Sequence, residues 1–404
     1  GDCDTACDPG YLCDGSGHCA LSCQAGLSDC GGTCVDTASD PLHCGGCAGA
    51  GGVSCESDQA CVASICTPLA RQPGEVLWTV TWDQETSEGR AVAVDGMGHV
   101  FVAATTSNGS DVDMTLAKVD PDGALLWDTT FDSGGSDFEP SLAVDGMGYA
   151  LVACPIGWAD VWLARYNPEG ALLWSRTWDG GDWDWTEGVA VDGSGNAIVV
   201  ATSDNGSDYD IWIGMLDPEG VDVWDLRIDS GSDETAADVA TDGMGNILVL
   251  GQRGEVLLQK LDTQGNVLWT STFGSAEDEA ARAVTCDGSG DVLVSCRISD
   301  SAGTIHRFDA DGIERSSFSV PGDPFDLATD GLGEVLVTGR TGASPRLWVA
   351  KYDIDGAEIW LDTVTGQGQA FGYSIDSDGL GRVVAAGYVW PDTHETLWLR
   401  QYAP

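Results

Sequence analysis

The sequence is poor in positive charge. It holds 17 Lys and Arg residues against 65 Asp and Glu, which gives a formal net charge of −48 over 404 residues. A surface of this sign repels phosphate backbones and anionic lipids, so nucleic-acid binding is excluded. Two interpretations of the acid stay open: solubility in an extracellular or saline medium, and binding of divalent cations, which take carboxylate ligands.

Other features are absent as well. No run of about 20 apolar residues could span a membrane. The chain starts without the charged and apolar regions of a signal peptide, which predicts a mature chain whose signal has been removed. It has five His and no H-E-x-x-H, G-x-S-x-G or phosphate-loop motif. We therefore predict a non-enzymatic protein; the alternative is a secreted glycan or polyester hydrolase or lyase that uses carboxylates on one face.

Cysteine is abundant at one end of the chain. Of the 15 Cys, twelve lie in the first 66 residues: Cys3, Cys7, Cys13, Cys19, Cys23, Cys30, Cys34, Cys44, Cys47, Cys55, Cys61 and Cys66. This stretch has no Lys or Arg and few large apolar residues, so it needs covalent links in place of an ordinary core. We predict a disulfide-rich domain over residues 1–66, and disulfides indicate an extracellular or cell-surface location.

A linker follows, and then the chain becomes periodic. Residues 67–73 contain two prolines and mark the boundary. In residues 74–404 the tetrapeptide D-G-x-G begins seven times, at Asp95, Asp145, Asp192, Asp242, Asp287, Asp330 and Asp378. Seven copies at spacings of 43 to 50 residues are typical of a propeller or a solenoid.

The pattern within each repeat predicts four strands. A branched aliphatic stands three residues before each Asp and a small residue nine after it, which predicts two strands joined by a tight hairpin. A third strand follows, and in six of seven repeats a Trp four residues after a turn glycine marks the fourth. Lys118, Arg165, Lys260, Arg307 and Lys351 share one third-strand position, where we expect exposed side chains paired with carboxylates. Cys154, Cys286 and Cys296 are predicted to be buried free thiols.

The two ends of the periodic region decide between a ring and a solenoid. Residues 74–82 match a fourth strand without its first three, and residues 396–402 match a third strand without its fourth. Pairing them completes one blade and removes two open edges. The predicted fold is all-β: a seven-bladed β-propeller closed by an N-terminal strand and preceded by the small disulfide-rich domain.

Two segments resemble known families. The run SEGRAVAVDGMGHVFVAA from Ser87, with its six echoes, resembles the bacterial seven-bladed β-propeller (SBBP) repeat across residues 74–404. This resemblance implies a secreted or envelope propeller without a defined activity, and the repeat motif contains no catalytic residue to carry over. The run GGTCVDTASDPLHCGGC from Gly31 is similar to cysteine-rich segments of exported bacterial proteins, which implies location only.

Two related loops suggest a calcium site. SNGSDVD from Ser107 and SDNGSDYD from Ser203 repeat a spacing of oxygen-bearing side chains. Such side chains can surround Ca²⁺, although the spacing is not that of an EF-hand. The predicted ligands are Asp111, Asp113, Asp204, Asp208 and Asp210. The alternative, solvated acidic loops without a metal, stays open.

Three tryptophans suggest a binding surface. Trp158, Trp183 and Trp185 lie in neighbouring loops of the second and third repeats, flanked by Asp182, Asp184 and Glu187. Aromatic residues ringed by polar groups are typical of binding hot spots. We predict that they hold a copy of the chain, a surface component or a glycan, which makes the protein an extracellular binding or assembly module. Alternatively, the indoles fold back over the seam between two blades.

Overall fold

The computed structural model describes nine stretches of the chain in full. They are residues 71–82, 87–157, 160–180, 183–274, 279–342, 345–364, 368–378, 380–390 and 394–404, and the backbone of six short strands is described before residue 71. The chain divides into two compact units, Gly1–Arg71 and Gln72–Pro404. No helix among the described residues is long and apolar enough to cross a membrane.

The N-terminal unit contains three two-stranded antiparallel sheets. Its strands are β1 (Tyr11–Cys13), β2 (Cys19–Leu21), β3 (Ser28–Asp29), β4 (Cys34–Val35), β5 (Gln59–Val62) and β6 (Ile65–Pro68). The predicted disulfides of residues 1–66 lie outside the residues whose side chains the structure describes.

The second unit is a ring of seven four-stranded antiparallel sheets. Blade 1 is β8 (Ser87–Val94), β9 (Val100–Ser107), β10 (Val112–Val119) and β11 (Leu125–Phe131); blade 2 is β12 (Ser141–Val144), β13 (Ala150–Ile156), β14 (Asp160–Tyr166) and β15 (Leu172–Trp178). Blade 3 is β16 (Asp184–Val191), β17 (Ala197–Asp204), β18 (Tyr209–Leu216) and β19 (Asp222–Ile228); blade 4 is β20 (Thr235–Thr241), β21 (Ile247–Arg253), β22 (Glu255–Leu261) and β23 (Val267–Phe273). Blade 5 is β24 (Ala280–Cys286), β25 (Val292–Ser299), β26 (Ala302–Phe308) and β27 (Glu314–Pro321); blade 6 is β28 (Asp323–Thr329), β29 (Val335–Thr341), β30 (Arg346–Tyr352) and β31 (Glu358–Thr363). Blade 7 is β32 (Ala370–Ser377), β33 (Val383–Val389), β34 (Thr396–Tyr402) and, from the start of the unit, β7 (Val76–Trp82).

Blade 7 confirms the predicted closure. Strand β7 pairs antiparallel with β34, from Leu397 opposite Trp82 to Tyr402 opposite Val76. The first strands of neighbouring blades contact one another all the way around the ring, β32 with β8 included, and so surround a central channel. The fold is therefore the predicted all-β, seven-bladed propeller.

The core is divided among the blade interfaces. Seven clusters of buried apolar residues each combine side chains from two adjacent blades. The cluster between blades 1 and 2, for example, joins Phe101 and Met114 to Val152 and Trp162. No blade has an apolar core of its own, so each depends on both neighbours.

Strand direction gives the ring two distinct faces. The connections between blades and the loops between second and third strands lie on one side, here called the top face. The D-G-x-G hairpins and the turns between third and fourth strands lie on the other, the bottom face. In the first hairpin, Oδ1 of Asp95 accepts hydrogen bonds from the amides of Met97 and His99, both at 2.9 Å. The same pair of bonds recurs in all seven hairpins, which confirms that these aspartates close turns.

The basic residues of the third strands are placed differently from the prediction. Lys118, Lys260 and Lys351 are at most 5% exposed. Their ammonium groups pair with the hairpin carboxylates of Asp95, Asp242 and Asp330 at 3.3, 2.9 and 2.9 Å. The expected pairing is present, but the expected exposure was wrong, because the neighbouring blades cover the two middle strands of each blade.

The tryptophans of the fourth strands join each blade to the next. Trp127 in blade 1 donates from Nε1 to the carbonyl of Pro168 in blade 2, at 3.1 Å, and its ring lies against Gly170. Equivalent bonds run from Trp78, Trp174, Trp224 and Trp269 to Pro121, Pro218, Thr263 and Ala310. The repeated tryptophan therefore joins each of these blades to the next by a hydrogen bond and by packing of its ring.

The three cysteines of the propeller are free, as predicted, but the predicted full burial is wrong for Cys286. Cys154 and Cys296 are completely buried, and burial raises the pKa of both thiols well above the usual value. Cys286 is half-buried, and burial raises the pKa of its thiol to about 11. All three stay protonated at neutral pH, which suits packing and not nucleophilic chemistry.

Removal of β7 tests the closure. A chain that starts at residue 83 loses the partner of β34 and the packing of Trp78, Val80 and Trp82 between blades 7 and 1. We expect the melting temperature to fall by roughly 10 °C or more, because several large apolar side chains lose their burial. The control is a chain that starts at residue 71, which keeps β7 and should melt close to the full-length protein. Equal melting temperatures for the two shortened chains would refute the closure.

A glycine substitution tests the packing of the fourth-strand tryptophan against the next blade. Gly170 has φ of +83°, and a Cβ there would lie 2.8 Å from Cδ2 of Trp127. Gly333 has φ of +80°, and a Cβ there would meet nothing within 4 Å. Both alanine variants bear the cost of positive φ, about 1–2 kcal/mol, so Gly170→Ala should lose about 1–3 kcal/mol more from the clash. Urea unfolding of the two variants measures this difference, and a difference near zero would contradict it.

Candidate functional site

One residue in each first strand, or directly before it in blade 2, faces the central channel near the top face. In six blades it is the extra residue of a β-bulge: Arg90, Glu187, Ala237, Arg282, Phe325 and Tyr373. Pro140 holds the corresponding position in blade 2, and all seven line the same part of the channel. Each stands five residues before the Asp of its D-G-x-G hairpin, so a sequence offset identifies the set. We call these seven residues the channel ring.

Blades 1, 5 and 6 contribute guanidinium groups, which stack on aromatic rings of blades 6 and 7. The guanidinium carbon of Arg90 lies 4.3 Å from the centre of the Tyr373 ring. Arg282 lies 5.3 Å from the centre of the Phe325 ring in the same way, and Arg340 is 5.6 Å from that ring. Contacts of this kind hold both partners in place through the negative face of the ring.

These cations are already neutralised by carboxylates. Arg90 forms ion pairs with Glu88 and with Glu139, the latter at 3.2 Å. Arg282 donates to both oxygens of the fully buried Asp323, from Nε at 2.9 Å and from an η nitrogen at 2.8 Å. The mouth of the channel therefore offers stacked planes and hydrogen-bonding groups without a net positive charge.

Two open cavities flank the channel ring on the top face. The larger, about 450 Å³, is lined by Trp185, Tyr209, Phe325, Glu187 and Arg282, with threonine hydroxyls beside them. The smaller, about 260 Å³, is lined mainly by Glu88, Arg90, Phe138, Glu139 and Glu395, and Trp185 borders it as well. Trp185 thus borders both cavities, and we call the two cavities together the cleft at the channel mouth.

Enclosure shifts the titration of the carboxyls at the mouth. Glu187 lines the channel and is in contact with its solvent. Protein surrounds the carboxyl on its other sides, and the resulting partial desolvation raises its pKa to about 8. Burial raises the pKa of Glu88 to about 7; Arg90 opposes this shift, and the charge of Glu395 and a hydrogen bond to that residue add to it. Both groups hold a proton for part of the time at neutral pH, so they can donate as well as accept hydrogen bonds.

Three aspartates deeper in the channel link neighbouring blades. Oδ2 of Asp238 accepts from the amide of Val284 at 2.8 Å, and Oδ2 of Asp326 accepts from Ile375 at 2.9 Å. Asp376 accepts from Val94 in the same way, across the junction of blades 7 and 1. Desolvation raises the pKa of these carboxyls to about 8, about 6 and about 7 respectively.

The structure separates the residues that the sequence grouped around tryptophan. Trp183 is 53% exposed, whereas Trp185 is half-buried in the cleft. Asp184 is 1% exposed and accepts a hydrogen bond from the amide of Gly180, so its carboxylate is not at the surface. Glu187 belongs to the channel ring. Trp158 and Asp182 lie outside the described residues.

The predicted calcium ligands do not form one group in the structure. The amide of Asn108 donates to both Asp111 and Asp113, and that of Asn205 donates to both Asp208 and Asp210. The carboxylates that cluster are different ones. Asp113 joins Asp132 and Asp137, and Asp210 joins Asp229 and Glu234, while Asp111, Asp204 and Asp208 belong to neither group. The sequence grouping missed partners that come from the connection to the next blade.

Comparison with known proteins identifies the fold alone. Neither the models of protein families nor the curated proteins contain a match to this chain. Among solved structures, the WD40 β-propeller domain of Doa1 is 14% identical with a TM-score of 0.55, over 81% of this chain and 96% of that one. Raptor from Chaetomium thermophilum is 13% identical with a TM-score of 0.58, over 82% of this chain and 29% of Raptor. The Pan2 WD40 domain from Neurospora crassa is 10% identical with a TM-score of 0.54, over 83% of this chain and 97% of that one.

The raised pKa values predict how stability depends on pH. Between about pH 4 and pH 8 the folded chain keeps protons on channel carboxyls that the unfolded chain has released, so the free energy of unfolding falls as pH rises through this window. Asp238→Asn removes one such group. Asp238 accepts hydrogen bonds from the backbone amides of Val239 and Val284 and an asparagine can accept only one of them, so we expect the variant to melt below the parent at pH 4 but to show a shallower decline from pH 4 to pH 8.

The matched control is Asp225→Asn, which removes one charge from an exposed position on β19. Its melting curve should follow that of the parent at every pH. Thermal unfolding monitored by circular dichroism compares the three proteins. If Asp238→Asn declines as steeply as the parent, the linkage assigned to this carboxyl is wrong.

Proposed function

We propose that the protein is a non-enzymatic extracellular binding module that holds a neutral polysaccharide chain in the cleft at its channel mouth. The carrying observation is the larger cavity, where Trp185, Tyr209 and Phe325 surround one space together with Glu187 and Arg282. Sugar rings offer apolar faces that stack on aromatic side chains and hydroxyls that bond to charged and polar groups.

The placement of the tryptophans supports a glycan over a flat protein interface. Trp183 points outward, while Trp185 lines the cleft with polar neighbours on both sides. A protein partner would be expected to meet a contiguous exposed aromatic patch. A cleft with separated rings and polar groups between them fits an extended chain of sugars.

The charge pattern supports a neutral glycan over a polyuronate. Arg90 and Arg282 are each paired with carboxylates, and the chain carries a net charge of −48. A polyanion would meet repulsion, and the described residues of the cleft offer no unpaired cation to offset it. Location outside the cell is supported by the twelve cysteines of the first 66 residues and by the resemblance to the SBBP repeat.

Two tryptophan variants test the proposal. Trp185→Ala removes the ring between the two cavities and should weaken binding about tenfold or more, since a stacked aromatic anchor is worth about 2 kcal/mol. Trp183→Ala removes an exposed ring next to the same strand and should leave affinity nearly unchanged. Calorimetry with neutral glucans, xylans and mannans, and with polygalacturonate for comparison, measures the affinities.

Each outcome of this experiment decides something. Binding of one neutral class that Trp185→Ala weakens and Trp183→Ala does not supports the proposal. Tighter binding of polygalacturonate, equal effects of both variants, or no binding of any polysaccharide would reject it. Release of reducing ends that Glu88→Gln abolishes would show instead that the protonated Glu88 serves as a general acid, and that the protein is a hydrolase.

A second function is favoured by a separate observation. Aliphatic side chains between 39% and 60% exposed recur on or beside the fourth strands of all seven blades: Val76, Leu125, Leu126, Leu172, Leu173, Val221, Val223, Val267, Leu268, Ile313, Ile359 and Leu361. Such an apolar belt on open strand edges favours self-association into an assembly. Light scattering of the full chain tests this second function. A mass above that of the monomer, lowered in the double variant Leu172→Ser with Leu173→Ser, would support self-assembly. A monomeric mass at every soluble concentration would reject self-assembly.

A further inference from the structure

Two groups of three carboxylates occupy equivalent places on the top face. Asp113, Asp132 and Asp137 lie where blade 1 passes to blade 2, and Asp210, Asp229 and Glu234 lie where blade 3 passes to blade 4. In each group, one carboxylate oxygen of every residue lies within 4.8 Å of those of the other two. We call them the first and second acidic triads.

The two triads are built in the same way. Both connections read D-S-G-x-x-D or D-S-G-x-x-E, and the serine donates from its amide and its hydroxyl to the last carboxylate, Ser133 to Asp137 and Ser230 to Glu234. The amide of that last residue in turn donates to a third-strand carbonyl, from Asp137 to Val112 and from Glu234 to Tyr209, both at 2.7 Å. This bond brings the connection beside Asp113 or Asp210.

Each triad contains a buried oxygen without a hydrogen bond. Asp113 is 6% exposed and Asp210 is 1% exposed. Oδ2 of each accepts from an asparagine amide, but Oδ1 of each is buried and has no partner among the residues that the structure describes. A buried carboxylate oxygen without a donor is costly. Oδ1 of Asp184 is likewise buried without a partner among the described residues, but only at Asp113 and Asp210 do two further carboxylates lie beside the orphaned side chain, as the ligands of a cation would.

Electrostatics distinguishes the two triads. In the second triad, an η nitrogen of Arg227 lies 3.5 Å from Oδ2 of Asp210. The corresponding residue of the first triad is Thr130, which carries no charge.

We propose that each acidic triad binds one Ca²⁺ ion, the first more tightly than the second. All the donors are oxygens from carboxylates, with no His or Cys among them, and this is the ligand set of a hard cation that takes six to eight oxygens with water completing the shell. Each ion joins the third strand of one blade to the connection that enters the next. Calcium therefore fastens blade 1 to blade 2 and blade 3 to blade 4 on the top face. This proposal is independent of the polysaccharide proposal.

The connection from blade 2 to blade 3 provides an internal comparison. Asp179 and Asp184 correspond there to Asp132 and Asp137. Arg227 donates to the carbonyl of Gly180 at 3.1 Å, and its charge acts on Asp184. Among the described residues this connection has no group of three clustered carboxylates. The expected stoichiometry is therefore two ions per chain.

Calorimetry on the full chain after chelator treatment measures that stoichiometry directly. We expect two calcium ions to bind, with dissociation constants of about 10⁻⁴ M or tighter, in the range of extracellular calcium modules or below it. Asp113→Asn should remove the tighter site, Asp210→Asn the weaker one, and the double variant both. The matched control variant Asp184→Asn should still bind two calcium ions.

Thermal unfolding gives a second readout that also guards against misfolded variants. Calcium at about ten times the dissociation constant should raise the melting temperature of the parent by several degrees, and this rise should vanish in the double variant. Without calcium, the double variant should melt at or above the parent, because it loses repulsion between carboxylates. A double variant that melts lower without calcium would show that Asp113 and Asp210 are structural, and would overturn the proposal.

Other results would overturn it as well. No binding heat and no melting shift in 10 mM calcium, a concentration about a hundredfold above the expected constant, would exclude both sites. Equal shifts with magnesium and calcium would assign the effect to general charge screening. Retention of two ions by Asp113→Asn, or loss of one by Asp184→Asn, would place the ions elsewhere.

Discussion

The pairing of residues 76–82 with residues 397–402 holds this propeller together. Every blade has its apolar faces covered by its two neighbours, and the seven core clusters lie between blades and not within them. An open arc of blades would expose apolar faces at both ends, so completing the last blade stabilises the ring. The same closure creates the channel mouth, since the stacking of Arg90 on Tyr373 joins blade 1 to blade 7.

The acidic residues serve two purposes, one on each face. On the bottom face, carboxylates such as Asp95 and Asp330 accept turn amides and pair with buried lysines, so their charge is neutralised within the fold. On the top face, Asp113 and Asp210 each keep a buried oxygen that has no donor among the described residues, and Glu187 has a raised pKa inside the channel. The bottom face therefore neutralises its carboxylates within the fold, while the top face retains charge and hydrogen-bonding capacity. The channel mouth and the acidic triads share that face but use different residues, which allows glycan binding and calcium binding to be tested separately.

Several features of the top face could be predicted from the sequence only in part. The channel ring has a constant offset from the D-G-x-G hairpins, so the repeat contains the information for it, but its exposure to the channel comes from β-bulges that no local pattern marks. Sequence proximity suggested that Asp113 acts with Asp111, whereas its partners Asp132 and Asp137 come from the connection beyond the fourth strand. Lys118 was expected at the surface because alternation along one strand does not show that adjacent blades cover it.

The number of blades, the turns between their strands and the strand that closes the ring could all be predicted from the amino-acid sequence. These follow from short-range rules: side-chain alternation, hairpin chemistry and a repeat whose two incomplete ends match. Only the tertiary structure decided which residues meet between blades, such as Arg282 with Asp323 or Asp210 with Glu234. Contacts of that kind depend on the angle between adjacent sheets, on the bulges and on the path of each connection. The repeat pattern is nearly the same in every blade, so it cannot specify contacts that differ from one blade interface to the next.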